Sequence, residues 1–148
     1  MNGNKNLSEM ENLYMALSDQ TRLRLLNLMR EDEICVCFFT EVLDESQPKI
    51  SRHLAYLRKA ELVETRREGK WMHYRIKFPE NAFAREVLYD TLEWLKSQEE
   101  MQKEYESLID ACCSLNVPTT IAKAPKPEAI IEANTEIETK QEIETYLL

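Results

Sequence analysis

Apolar residues recur over the first 60 positions at three- and four-residue steps, the spacing of helices that bury one face. Leu7, Met10, Leu13, Tyr14 and Leu17 set a first amphipathic helix. Ser18 or Asp19 can cap a second, "TRLRLLNLMRE", whose leucine density places it at the centre of the core. In "EICVCFFTEVL" (33–43), Phe38, Phe39, Val42 and Leu43 suit a short third helix that ends at the polar turn "DESQ". A fourth helix is expected from about Gln47 to Ala60. Ser46 can cap it, and Pro48 is tolerated because first-turn amides lack intrahelical acceptors. Ile50, Leu54 and Leu57 follow the i, i+4, i+7 rule and face the core. At about 100° per residue, Lys49, Arg52, Ala55, Tyr56 and Lys59 fall on or near the opposite face, with Ser51 and His53 on its flanks.

The period then changes. "LVETRREGKWMHYRI" holds two runs of β-formers around "REGK", where Glu68-Gly69 supplies turn chemistry and Arg66, Arg67 and Lys70 sit at or beside the tip. A short helix, a tight turn, a basic-faced second helix and a basic hairpin make a winged helix-turn-helix. Pro79 and Asn81 open a last helical segment reaching about Leu115, with an apolar side that includes Phe83, Leu88, Leu92, Leu95, Leu108 and Cys112. Unbroken, it would extend about 50 Å, too long for so small a domain, so a break is expected near Ser97. Its apolar stripe calls for a partner, and a second copy of the chain is the economical choice. From Pro118 to Leu148 there are three prolines and 3 Lys against 6 Glu, the composition of an acidic, disordered tail. The expected division is a domain over 1–117 and a tail over 118–148.

Charge sharpens this picture. The chain of 148 residues carries a formal −8, which on its own disfavours nucleic acid. Between Ser46 and Lys77, however, nine Lys/Arg face three Glu, a local +6 on the very motif that would meet phosphate. No apolar stretch approaches the roughly 20 residues of a membrane span, and the amino terminus lacks a basic-then-apolar leader pattern. The expected location is the cytoplasm, where thiols stay reduced. Four cysteines there read as metal ligands, redox groups or core before they read as disulfides.

"LSDQTRLRLLNLM" (17–29), "ICVCFF" (34–39), "SQPKISRHLAYLRKAELV" (46–63) and "REGKWMHYRI" (67–76) together resemble the ArsR/SmtB metalloregulatory repressors, in particular their arsenic-responsive branch. The resemblance covers most of residues 7 to 77 and leaves out the tail. It implies a homodimeric winged-helix repressor that leaves its DNA operator when a thiophilic ion binds. Recognition helices would enter successive major grooves of an inverted repeat, about 34–36 Å apart. Ser46, Gln47, Lys49, Ser51, Arg52 and His53 would carry base readout, with Tyr56 on the same exposed side. Arg66, Arg67 and Lys70 of the wing would mainly grip the backbone.

By the same resemblance, Cys35 and Cys37 form the sensing motif, at the start of the helix that leads into the helix-turn-helix. Thiolates are the soft donors that such ions prefer. On an intact helix, residues i and i+2 point about 200° apart, so gripping one ion should require that turn to distort. The branch often has a third cysteine three residues after the second, and here that position is Thr40. A third donor for a trivalent arsenic or antimony centre must then be exogenous or come from elsewhere. Cys112 and Cys113 are the available pair: Cys112 fits the apolar stripe, and Cys113, off it, is the better ligand candidate. Alternatives stay open: arsenite or antimonite as inducer, a methylated trivalent arsenical that needs only two thiols, or Cd²⁺ or Zn²⁺ on four thiolates. Residues 80–115 hold no His, which removes a histidine-rich zinc site from the last helix. His53 and His73 are expected in DNA contact or packing.

Two other classes compete. A dithiol oxidoreductase would need two residues between its thiols and a thioredoxin-like βαβ context, and neither is present. A winged-helix protein-interaction module with structural cysteines would not bind an operator that thiol ligands release.

Overall fold

A computed structural model describes residues 2–113, 121 and 123–128, with the side chains of 2–4 and 113 left out. The helices are α1 (Asn2–Leu17), α2 (Gln20–Met29), α3 (Val36–Leu43), α4 (Gln47–Lys59), α5 (Ala82–Ser97) and α6 (Glu99–Cys113). Three short strands, β1 (Ile34–Cys35), β2 (Val63–Glu68) and β3 (Trp71–Ile76), form one antiparallel sheet in the order β1-β3-β2. This is the expected winged helix-turn-helix with one added strand, since Ile34 and Cys35 pair with Tyr74 and His73 instead of opening α3.

Local chemistry fixes each boundary. Asp19, rather than Ser18, caps α2, its carboxylate accepting from the Arg22 amide at 3.0 Å. Ser18 donates to the Met15 carbonyl instead and closes α1. Asp44 ends α3 in the left-handed region, and two residues later Ser46 already caps α4 by accepting from the Lys49 amide. The hairpin loop is Gly69-Lys70, one residue later than expected, because Glu68 still pairs with Trp71. Gly69 takes φ +59 at the first loop position, the conformation in which a side chain would be strained and which two-residue hairpins favour for glycine. Asn81 caps α5 through the amides of Phe83 and Ala84. The predicted break falls at Gln98, whose extended backbone (φ −84, ψ 129) separates α5 from α6.

The core is built on α2, where Leu25, Leu26, Leu28 and Met29 have no solvent exposure, with Phe38 and Phe39 of α3 and Ile50, Leu54 and Leu57 of α4 against it. Burying such side chains stabilises by about 1.5–3 kcal/mol each. In α1 only Leu13 of the predicted face is fully buried, while Leu7 and Tyr14 face outward. Leu88, Leu92, Leu95, Leu108 and Cys112 are buried within the single chain. Most of the stripe that should have sought a second copy is therefore satisfied internally, because α6 folds back over α2, α3 and α5. Exposed on these two helices are Phe83, Tyr89 and Trp94 of α5 and Leu7, Tyr14 and Met15 of α1. The acidic tail falls outside the described residues except at Ile121 and 123–128, where Ile121 and Ala124 join the core. Among the described residues no helix is long and apolar enough to cross a membrane.

Candidate functional site

Two groups of residues carry chemistry, and the α3–α4 unit connects them. The first is the thiol pair. Cys35 is the N-cap of α3, with an extended backbone (φ −67, ψ 136), and its side chain is fully buried. Cys37, in the first turn, is half-buried, and its thiol donates to the Cys35 sulfur at 3.1 Å. The expectation that the sulfurs point apart is corrected here. It assumed both cysteines inside one helix, whereas pairing with His73 holds Cys35 in β1 and turns the sulfurs toward each other without unwinding.

The electrostatics are asymmetric. The hydrogen bond from Cys37 lowers the Cys35 pKa to about 6 against the opposing effect of burial, helped by the Cys37 backbone amide, the nearby His73 and the Met72 amide. Cys37 is pushed up by the same hydrogen bond, by burial and by the charge on Cys35. The pair is thus a thiolate and a thiol, poised to give two soft donors to one ion. A tetrahedral ion with Zn–S bonds of about 2.3 Å keeps its sulfurs about 3.8 Å apart. The 3.1 Å found here is the span of the S–H···S hydrogen bond, so the sulfurs would move apart by a few tenths of an ångström to hold an ion. Among the described residues no third His, Cys, Asp or Glu completes a metal-holding cluster. Cys112 is a buried core residue, and the side chain of Cys113 lies outside the described residues.

The second group is the basic surface. Ser46, Gln47, Ser51, Arg52 and Tyr56 are exposed along α4, as are Arg66, Arg67 and Lys70 on the hairpin. Several are already engaged. Lys49 pairs with Glu45 at 2.8 Å, Lys70 lies over the Trp71 ring, and Arg66 reaches Glu33 at 2.6 Å. Among the described residues Arg52 and Arg67 have no ion pair. His53 turns inward, with Nδ1 3.3 Å from an Arg22 nitrogen and 3.7 Å from Asp19. His73 is buried on β3 and bonds Glu68 at 2.9 Å, the packing role foreseen as one of its two options.

Sequence reasoning missed Arg22. Its guanidinium donates to the carbonyls of Ala16 and Met15 at 2.8 and 3.0 Å and stacks on the Tyr56 ring at 4.2 Å. It therefore ties the end of α1 and the start of α2 to the outer helix of the motif. The only sequence signal was its place three residues after the Asp19 cap, which says nothing about α4.

Fold and surface together define a winged helix-turn-helix regulator, and comparison with known proteins narrows the class. Residues 19–65 match the family described as "Bacterial regulatory protein, arsR family". The chain is 42% identical over 103 residues to the arsenical resistance operon repressor of Escherichia coli K12, covering 69% of this chain and 86% of that one. It belongs to the arsR family, whose members are transcriptional regulators and not enzymes. The transcriptional repressor BigR from Xylella fastidiosa has a similar structure (TM-score 0.54, 31% identity, 66% of this chain and 94% of that one). So has the antimony-specific transcriptional repressor AntR (TM-score 0.50, 26% identity, 64% and 83%).

Proposed function

We propose that this protein is a cytoplasmic repressor that binds an inverted-repeat operator as a homodimer and leaves it when trivalent arsenic or antimony binds the Cys35 and Cys37 sulfurs. The observation that carries the reading is the 3.1 Å approach of those sulfurs at the head of α3, the helix that leads directly into α4. The names of the Escherichia coli relative and of AntR support the choice of ion. In this reading Gln47, Lys49, Ser51 and Arg52 meet base edges or nearby phosphates, with Ser46 as both cap and contact. Arg66, Arg67 and Lys70 hold the backbone. Tyr56 and His53 contribute mainly by fixing α4 through Arg22. Residues 1–117 form the DNA-binding and dimerisation domain, with the exposed apolar residues of α1 and α5 at the dimer contact, and 118–148 form the acidic tail.

A second inducer class has its own support. With two sulfurs together and no third donor among the described residues, a methylated trivalent arsenical, which keeps a carbon ligand, is satisfied by what is present. Arsenite or antimonite would take its third ligand from an exogenous thiol or from Cys113. A Cd²⁺ or Zn²⁺ response through Cys112 and Cys113 is the remaining alternative; Cys112 is as buried as Cys35, and the side chain of Cys113 lies outside the described residues. The deciding experiment is operator release measured in parallel with arsenite, methylarsenite, antimonite, Cd²⁺ and Zn²⁺. Release by the trivalent species at concentrations where Zn²⁺ does nothing supports the reading. Release by Zn²⁺ or Cd²⁺ alone contradicts it.

A further inference from the structure

The two sulfurs already face each other with α3 intact, and the strand side of the pair offers a route from the thiols to the DNA surface. Paired residues share one face of an antiparallel sheet, and so do residues two apart on a strand. His73 pairs with Cys35 on one side and with Arg66 on the other, so the three form one row across the sheet. Glu33, just before β1, and Glu68, at the end of β2, lie two residues from Cys35 and Arg66. The Arg66 Nε and Nη2 both donate to Glu33 Oε1, at 2.9 and 2.6 Å, and Nη2 also reaches Glu68 at 3.4 Å. His73 sits between the two carboxylates, 2.9 Å from Glu68 and 4.0 Å from Glu33, with 3% of its surface exposed. Of the wing cations Arg66, Arg67 and Lys70, Arg66 alone has a carboxylate partner among the described residues.

We propose that Glu33 competes with operator phosphate for Arg66 and is the positioning residue through which ligation of Cys35 and Cys37 loosens the wing's grip on DNA. The inference rests on the functional reading above, in which the thiol pair takes the inducer and the wing holds the backbone. Its physical content is simple. A guanidinium whose N–H groups already point at a carboxylate cannot offer the same N–H groups to a phosphate. Operator binding must therefore draw Arg66 away from Glu33. β1 is anchored to β3 by only two register pairs, so while no ion holds the sulfurs its end, with Glu33, can move aside and release Arg66. Closing both sulfurs on one ion fixes β1 against α3, holds Glu33 over the sheet and returns Arg66 to it.

The test is a double-mutant cycle with Glu33→Gln, Arg66→Ala and the combined variant. Operator affinity is read by fluorescence anisotropy with and without arsenite, and arsenite binding to DNA-free protein by calorimetry. Glu33→Gln is nearly isosteric and half-exposed, so folding is preserved. Without arsenite it is expected to bind operator about two- to fivefold tighter, the range of an exposed ion pair. It should also need more arsenite for half-release, with unchanged arsenite binding to the free protein. In the Arg66→Ala background the Glu33 substitution should have no effect. Wild-type affinity for Glu33→Gln, or equal tightening in the Arg66→Ala background, overturns the inference; the second outcome would mean that any lost negative charge has the same effect. Wild-type protein that keeps its operator in saturating arsenite contradicts the functional reading, whereas a normal wild-type response with an identical Glu33→Gln response contradicts the inference alone.

Discussion

One proton shared between two sulfurs sets how Cys35 and Cys37 behave. Cys35, lowered from 9.0 to about 6 chiefly by the Cys37 hydrogen bond, is a thiolate near neutral pH, while Cys37 keeps its proton. The sign of the linked stability follows from the directions. The Cys35 contribution is fully present above 9.0, shrinks as pH falls toward about 6 and is lost below that. Cys37 runs the other way, so its contribution is present below 9.0 and lost as pH rises. A titration of thiolate absorbance in the folded protein should show a step near pH 6 that Cys35→Ser removes. Two steps at the ordinary thiol value would show that the sulfurs do not share a hydrogen bond. The residue types of this site were legible in the sequence, but its geometry was not. A two-residue strand is too short to leave an alternating pattern, and without β1 the cysteines read as two positions of one helix. His73, Glu33 and Glu68 were invisible as a group for the same reason: only the β1-β3-β2 register brings them into adjacent rows.

At the scale of elements, α1, α2 and α4 are joined through a single side chain. Arg22 answers two carbonyls at the end of α1 and stacks on Tyr56 of α4, so it sets where the outer face of α4 stands relative to α1. Arg22→Ala should cost about 1–3 kcal/mol in urea unfolding, from the lost charge-assisted hydrogen bonds, and should weaken operator binding although the residue lies off the predicted DNA surface. Arg22→Lys should not restore binding, because a point charge cannot serve two carbonyls and stack on a ring at once. Wild-type affinity for Arg22→Ala would mean that α4 is positioned by its buried face alone. That face was readable, since Ile50, Leu54 and Leu57 follow the helical period and all three are fully buried. So was the α5–α6 break, because a continuous helix could not fold back on so small a core. The destination of the α6 stripe was not readable. Periodicity shows that Leu108 and Cys112 must be covered, and it is silent on whether the same chain or another does it.

The whole molecule separates its charge, with a formal −8 overall and +6 between Ser46 and Lys77. In the proposed reading that arrangement confines nucleic-acid contact to one surface, where phosphate neutralisation would release counterions. The arsR family frame, the exposed helix face of α4 and the basic hairpin all point to that surface as the operator contact. The thiol pair, buried Cys35 and half-buried Cys37, lies at the junction of α3 with the sheet. Cys35→Ser and Cys37→Ser should both fold, since serine is nearly isosteric and an N-terminal helical turn accepts a hydroxyl hydrogen bond. Neither sulfur belongs to the surface assigned to DNA. The central claim is therefore tested most directly by titrating arsenite into the operator complexes of wild-type protein and the Cys35→Ser/Cys37→Ser double variant. The account predicts equal operator affinity without arsenite, release of the wild type, and a double variant that stays bound throughout. A double variant that leaves the operator at the wild-type arsenite concentration would contradict it and assign sensing to other residues.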